Sequence, residues 1–390
     1  ECDNPKLSQH AGRLMKTEKF EVTLPPARID QLRQRLAAVS WPDIVGEDDW
    51  QYGVPRAWMQ EMVDYWLNEW SWTTAEEEMN RFTHFRVVID GILIHCLHAP
   101  ATDSDAPALV LTHGWPWTFW DFRYVIEPLS QHYNVYVPSL PGFGFSMPLT
   151  QSGVDVKRTA QLWVQLMTDV LGYQRFFAHG GDWGALITAQ LAHAHADKVA
   201  GAHLALALVP GINRSELGPE AFATDEAWMI ERNAESQLHI TSHVTVHRID
   251  PQTLGYALVD SPIGTAAWIW ERRRNWSDCD GDPLNAFSRE HLCTTAALFW
   301  CTGAISSSLR IYYEHFNKPW PLEHRRKPVL EAPTGFAVFP RDVVHIPRRL
   351  LEENCNLQRY TIMPRGGHFG AAEVPDDLVP EMFQFFGALD

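Results

Sequence analysis

Apolar residues recur at helical spacing early in the chain and in short unbroken runs further on. Over residues 26–39, Ile29, Leu32, Leu36 and Val39 fall on one face of a helix with proline near its start. A second helix is expected over 55–70, with Trp41-Pro42 marking the turn between the two. Strand signals follow. Residues 85–89 and 92–97 flank Asp90-Gly91, a pair suited to a two-residue hairpin whose turn positions need positive φ. From residue 108 the runs 109–112, 135–138, 176–178 and 199–208 are short and apolar, and helical stretches such as 156–171 separate them. That alternation predicts βαβ units with right-handed connections and a mostly parallel sheet. Between about 210 and 324 the strand rhythm gives way to aromatic-rich helices, and it resumes at 334–339 and 358–363. The expected organisation is an α/β core, 85–209 and 325–390, with a helical cap inserted over 210–324. A largely helical segment, 1–84, precedes it.

The composition narrows the class. At 390 residues and 45% hydrophobic, the chain can bury a large core. Its formal charge of −16 argues against nucleic acid and anionic membrane as partners. Cys2, Cys96, Cys279, Cys293, Cys301 and Cys355 show no metal-type spacing and read mostly as free thiols in a reducing compartment, although their even number leaves disulfides open. No stretch has the length of a membrane span, and residues 1–18 are too polar for a signal peptide, so a cytoplasmic location is expected. The chain begins at Glu1 rather than Met, which leaves an upstream targeting segment open. A homodimer also stays open.

Four separated pieces carry the chemistry. In Gly180-Gly181-Asp182-Trp183-Gly184, after the run 176–178 and before the helix-like 185–192, an acid stands between glycines. Small–x–nucleophile–x–small makes the sharp strand-to-helix turn that lifts a reactive side chain above a parallel sheet. With aspartate there, the covalent intermediate would be an ester of the enzyme's own carboxylate, which suits attack on alkyl carbon better than acyl transfer. His113-Gly114-Trp115-Pro116 ends the run 109–112, where the Trp115 and Trp183 N–H groups are the natural oxyanion donors. Asp342 follows the run 336–339, and His368 follows 361–363. Nucleophile, acid and histidine thus occur in the order of the α/β-hydrolase fold, with His368 activating water and Asp342 fixing its tautomer. A capping aspartate, a structural loop histidine and a surface acid like Asp43 or Asp121 are the plain alternatives for each piece alone. All three at strand ends and in this order favour catalysis.

The chain resembles the microsomal-type epoxide hydrolases, which include juvenile-hormone and fungal members. The likeness rests on Arg35-Leu36 and Trp41-Pro42, His113-Gly114-Trp115-Pro116, residues 138–146, Gly180–Gly184, residues 260–264, residues 339–342 and residues 366–369, so it spans the chain from about residue 17 onward. It implies an α/β-hydrolase fold with a wrapping N-terminal segment and a helical cap. It also implies epoxide hydrolysis to a vicinal diol without cofactor or metal: Asp182 attacks the oxirane, and His368-activated water releases the diol from the ester. A small lipophilic epoxide and water are the implied reactants.

The family normally supplies two cap tyrosines to the opened oxygen. Tyr312 fills one position, with Tyr313 as its neighbour. Counting back from Gly255 puts His243 at the other, or His239 or His247 if the register slips, and no tyrosine occurs between Tyr173 and Tyr256. Because imidazolium is a stronger acid than phenol, the exchange predicts alkylation favoured at lower pH. An ordinary polar role for His243 is the plain alternative. The competing activities are haloalkane dehalogenation with the same triad and a biosynthetic enzyme in which a substrate hydroxyl opens the epoxide. An idle ligand carrier conflicts with three filled triad positions. A fluoroacetate dehalogenase conflicts with Trp183, Gly184, Ala185 and Leu186 where arginines would follow the nucleophile.

Overall fold

The computed structural model describes residues 16–389, apart from the side chains of Ser215 and His239; Cys2 lies outside the described residues. Among the described residues nine strands form one sheet: β1 (Glu18–Phe20), β2 (Thr83–Ile89), β3 (Ile92–Ala99), β4 (Ala108–Thr112), β5 (Asn134–Pro138), β6 (Phe176–Gly180), β7 (Val199–Leu204), β8 (Leu330–Val338) and β9 (Cys355–Ile362). Their order is β1-β2-β3-β5-β4-β6-β7-β8-β9. The first three and the β3–β5 pair are antiparallel, and every pair from β5 to β9 is parallel. The α/β-hydrolase fold follows. Strands β4, β5 and β6 are buried at every position because helices cover both faces, which is why they read as continuous apolar runs.

Several boundaries move from their expected places. The first helix is Pro26–Ala37 and the second Arg56–Asn68. A third, Trp72–Met79, starts at Ser71, whose side chain accepts the Thr74 N–H. The run 199–208 is strand only to Leu204, after which the chain turns towards the cap. The helix expected over 156–171 ends at Gln165 and continues as a π turn, Leu166–Val170. β8 begins at Leu330, earlier than its apolar run suggested; Pro333 interrupts the pattern, and the register with β9 shifts on either side of Thr334.

Between β7 and β8 lie six helices: Ala227–His239, Ser242–Ile249, Pro251–Asp260, Pro262–Trp276, Arg289–Cys301 and Ala304–Phe316. The N-terminal segment grips them. Trp58 and Trp66 pack on Trp270, and Arg28 donates to the Trp300 and Cys301 carbonyls while lying 4.6 Å from the centre of the Trp300 ring. A cation at these terminal carbonyls also complements the helix dipole. Cys96, Cys279, Cys293, Cys301 and Cys355 are buried free thiols. Among the described residues, no single helix is long and apolar enough to cross a membrane.

Candidate active site

Asp182 stands between β6 and the helix Trp183–Ala194 with φ +51°, a conformation a side chain rarely adopts. Its neighbours make the turn possible. A Cβ on Gly184 would lie 1.8 Å from the Thr112 carbonyl oxygen, and one on Gly114 would lie 2.1 Å from the Asp182 carboxylate. Glycine at both positions therefore lets strand, helix and carboxylate close on one another.

Two of the expected partners meet this carboxylate. The Trp115 N–H donates to Asp182 Oδ1 at 2.7 Å, and His368 Nε2 lies 3.1 Å from Oδ2. On the other side of the imidazole, Nδ1 lies 2.7 Å from Asp342 Oδ1, which also accepts the Val343 N–H at 2.6 Å. The Trp183 N–H opens the helix after Asp182, where first-turn N–H groups lack intrahelical acceptors. Burial alone would lower the His368 pKa, but Asp342 and Asp182 on its two nitrogens raise it to about 9. Side-chain exposure separates the three members: Asp182 is 15% exposed, Asp342 3% and His368 not at all.

The cap closes the site with rings. Tyr312 packs edge-on against Trp183 at 4.7 Å, and burial followed by the Asp182 carboxylate raises its pKa well above the usual phenol value. The structure brings His243 to the same place: it stacks on Trp115 at 5.4 Å and meets Tyr312 at 5.4 Å and Trp276 at 4.7 Å. The lower-pH expectation attached to it is corrected. Burial, then His247 and Arg272, push the His243 pKa well below its ordinary value, so the ring stays neutral rather than becoming a strong acid. His247 lies one turn along, 4.6 Å from Trp115 and 4.8 Å from Tyr312. Tyr313 is largely exposed on the outside of the cap.

Other polar groups, most of them outside the motifs named above, hold this geometry. Glu373 accepts the N–H groups of Asp278, Gly367 and Phe369, fastening the His368 loop to the end of a cap helix; enclosure of its carboxyl raises the pKa to about 7. The His368 backbone N–H donates to the Trp276 carbonyl at 2.8 Å. Asp121, which resembled a random acid, forms a buried ion pair with cap Arg273 at 2.7 Å, and Arg273 donates to the Pro116 carbonyl. His113 donates through Nδ1 to Gly114 and accepts the Leu140 N–H on Nε2, bracing the turn that carries Trp115. Of the cap aromatics, Trp268 reaches the site by bonding His247, whereas Trp270, Trp300, Phe299 and Trp228 pack elsewhere.

The sequence comparisons give the family. Residues 17–122 match the family described as the epoxide hydrolase N terminus, and residues 107–249 match the alpha/beta hydrolase fold. A Stigmatella aurantiaca protein named as a candidate epoxide hydrolase is 37% identical, covering 95% of this chain and 84% of its own. Epoxide hydrolase 1 of Oryctolagus cuniculus is 30% identical over 95% of this chain and 89% of its own. The chain belongs to the microsomal-type epoxide hydrolases. The Aspergillus niger epoxide hydrolase structure superposes with a TM-score of 0.85 at 26% identity, covering 96% of this chain and 97% of the other. The enzyme is an epoxide hydrolase of α/β-hydrolase fold, with an epoxide and water as its reactants.

Proposed function

We propose that the enzyme opens its epoxide through a covalent aspartyl ester on Asp182. The supporting observation is the accessible Asp182 carboxylate, held on one oxygen by the Trp115 N–H and on the other by His368, itself bonded to Asp342. Asp182 forms a bond to an oxirane carbon, and the ring C–O bond breaks with its electron pair on oxygen. Tyr312 donates its proton to that oxygen. Water then attacks the ester carbonyl with His368 taking its proton, and the oxyanion forms on an Asp182 oxygen facing the Trp115 and Trp183 N–H groups. As the ester breaks, His368 returns the proton to the leaving diol. The carboxylic acid left on Asp182 restores the Tyr312 proton, which closes the balance.

Charge explains the timing. In the resting enzyme the Asp182 carboxylate helps keep His368 protonated. Esterification removes that negative charge, so the imidazole pKa falls, the ring releases its proton to solvent and becomes a base when the water step needs one, and it takes a proton back from solvent once the Asp182 carboxylate is restored.

The cap residues 210–324 act as a lid, and the ring walls of Trp115, Trp183 and Trp276 favour an apolar epoxide. Single turnover with styrene oxide in oxygen-18 water tests the mechanism. Solvent label in the Asp182 peptide after one turnover is expected; label only in the diol overturns the ester. Capture by a substrate hydroxyl leaves Asp182 unlabelled as well and yields a cyclic ether in place of the diol.

A further inference from the structure

His243 and His247 are one helical turn apart and face the same aromatic enclosure, and their hydrogen bonds give both the Nδ1–H tautomer, with the donor paired in one ring and unpaired in the other. His243 Nδ1 lies 3.2 Å from the Ile240 carbonyl. A carbonyl only accepts, so Nδ1 carries the proton and Nε2 of the neutral ring is a bare lone pair. His247 Nε2 lies 3.0 Å from Trp268 Nε1. An indole nitrogen only donates, so here Nε2 accepts and the proton resides on Nδ1.

That Nδ1 is buried and has no partner among the described residues. A buried donor without an acceptor costs roughly 1–3 kcal/mol, and such an orphan beside a reactive group points to a partner that arrives with the ligand. The His247 ring is bordered by Trp115, whose backbone N–H holds Asp182, and by Tyr312. The unpaired donor therefore shares the enclosure of nucleophile and phenol.

We propose that His247, rather than His243, is the second donor to the oxirane oxygen, acting through Nδ1–H beside the Tyr312 hydroxyl. The inference rests on the aspartyl-ester reading above. His247 contributes a hydrogen bond and keeps its proton; the proton that moves is that of Tyr312. The charged and titratable groups around it are His243, Tyr312 and Arg272, whose guanidinium stacks on Trp268 at 3.6 Å. Burial and the Arg272 cation hold His247 neutral, with its pKa lowered to about 3. Trp268 is a positioning residue: it selects the tautomer without reaching the reacting atoms. His243 supplies a stacked wall on Trp115.

Two measurements on the full-length enzyme test this. In nitrogen-15 NMR of the resting enzyme, the His247 signals are expected to show a protonated Nδ1 and a bare Nε2; the reverse tautomer overturns the proposal. In stopped-flow single turnover with styrene oxide, His247→Phe is expected to slow alkylation by about 10²–10³-fold, in the range for removing one oxyanion donor, with ester hydrolysis spared. His243→Phe should lose less, and Trp268→Phe should lose less than His247→Phe. His247→Gln, which keeps an N–H donor, should stay within about tenfold of wild type and serves if the Phe variant does not fold. Alkylation at the wild-type rate in His247→Phe, or an equal or larger loss in His243→Phe, overturns the assignment. A wild-type enzyme that forms no ester by mass spectrometry defeats the mechanism itself, whereas an intact ester with unaffected His247→Phe alkylation defeats only this inference.

Discussion

The floor and the roof of the active site are built by different means. The floor, formed by Asp182, His368 and Asp342, stands on strand ends and is joined by short charged hydrogen bonds of 2.7 and 3.1 Å. The roof, formed by Tyr312, His243 and His247, stands on two cap helices and is held by ring packing, with the backbone and Trp268 setting each imidazole. Charged bonds fix position and charge together. Ring packing fixes position only, so a hydrogen bond from outside must decide which nitrogen carries the proton. The floor is therefore suited to nucleophilic attack and water activation, and the roof to presenting neutral donors.

The difference can be broken by substitution, with floor variants stopping turnover and roof variants slowing only ring opening. The largest effect is expected for Asp182→Asn, which should lower turnover by about 10⁴-fold or more, with no ester detected by mass spectrometry. His368→Gln should still alkylate but lose about 10³–10⁴-fold in turnover, so the intact protein accumulates one substrate mass; a variant that neither alkylates nor turns over would break the division of labour. Tyr312→Phe should slow alkylation by about 10²–10³-fold and leave decay of a preformed ester near wild type. Glu373→Gln keeps one good acceptor but loses the charge that gathers three N–H groups. It should cost turnover about tenfold, chiefly in the hydrolysis step, since it loosens the His368 loop.

The smallest effect concerns stability against pH. The folded-state pKa of His368 is raised from 6.5 to about 9, so its stabilising contribution is complete below pH 6.5 and is lost as the pH rises through about 9. Denaturant unfolding across that window should show a decline that is absent in His368→Gln.

How much of this was legible depended on where the determining contacts lie in the chain. The turn around Asp182 needs glycines within two residues of the carboxylate, so it appears as a local pattern. Strands buried on both faces appear as apolar runs, and the α/β alternation follows from them. The element ends were less legible. Gly180 and Leu204 each end a strand where the chain must leave the sheet, and Pro333 hides the first half of β8. Arg273 and Asp121 were invisible because they pair across distant segments, and Glu373 because its partners are backbone N–H groups, which any sequence supplies.

The sequence by itself determined the alternating α/β core, the helical insertion between β7 and β8, and an aspartate, an acid and a histidine in the chain order of the α/β-hydrolase fold. Those properties follow from local sterics and from which faces must be buried, and both are written residue by residue. Only the tertiary structure decided which of the cap histidines offers a proton. Trp268 lies on a separate helix from His247, and the direction of one indole N–H settles the tautomer. Proton placement is a property of hydrogen-bond partners, and partners are chosen by folding.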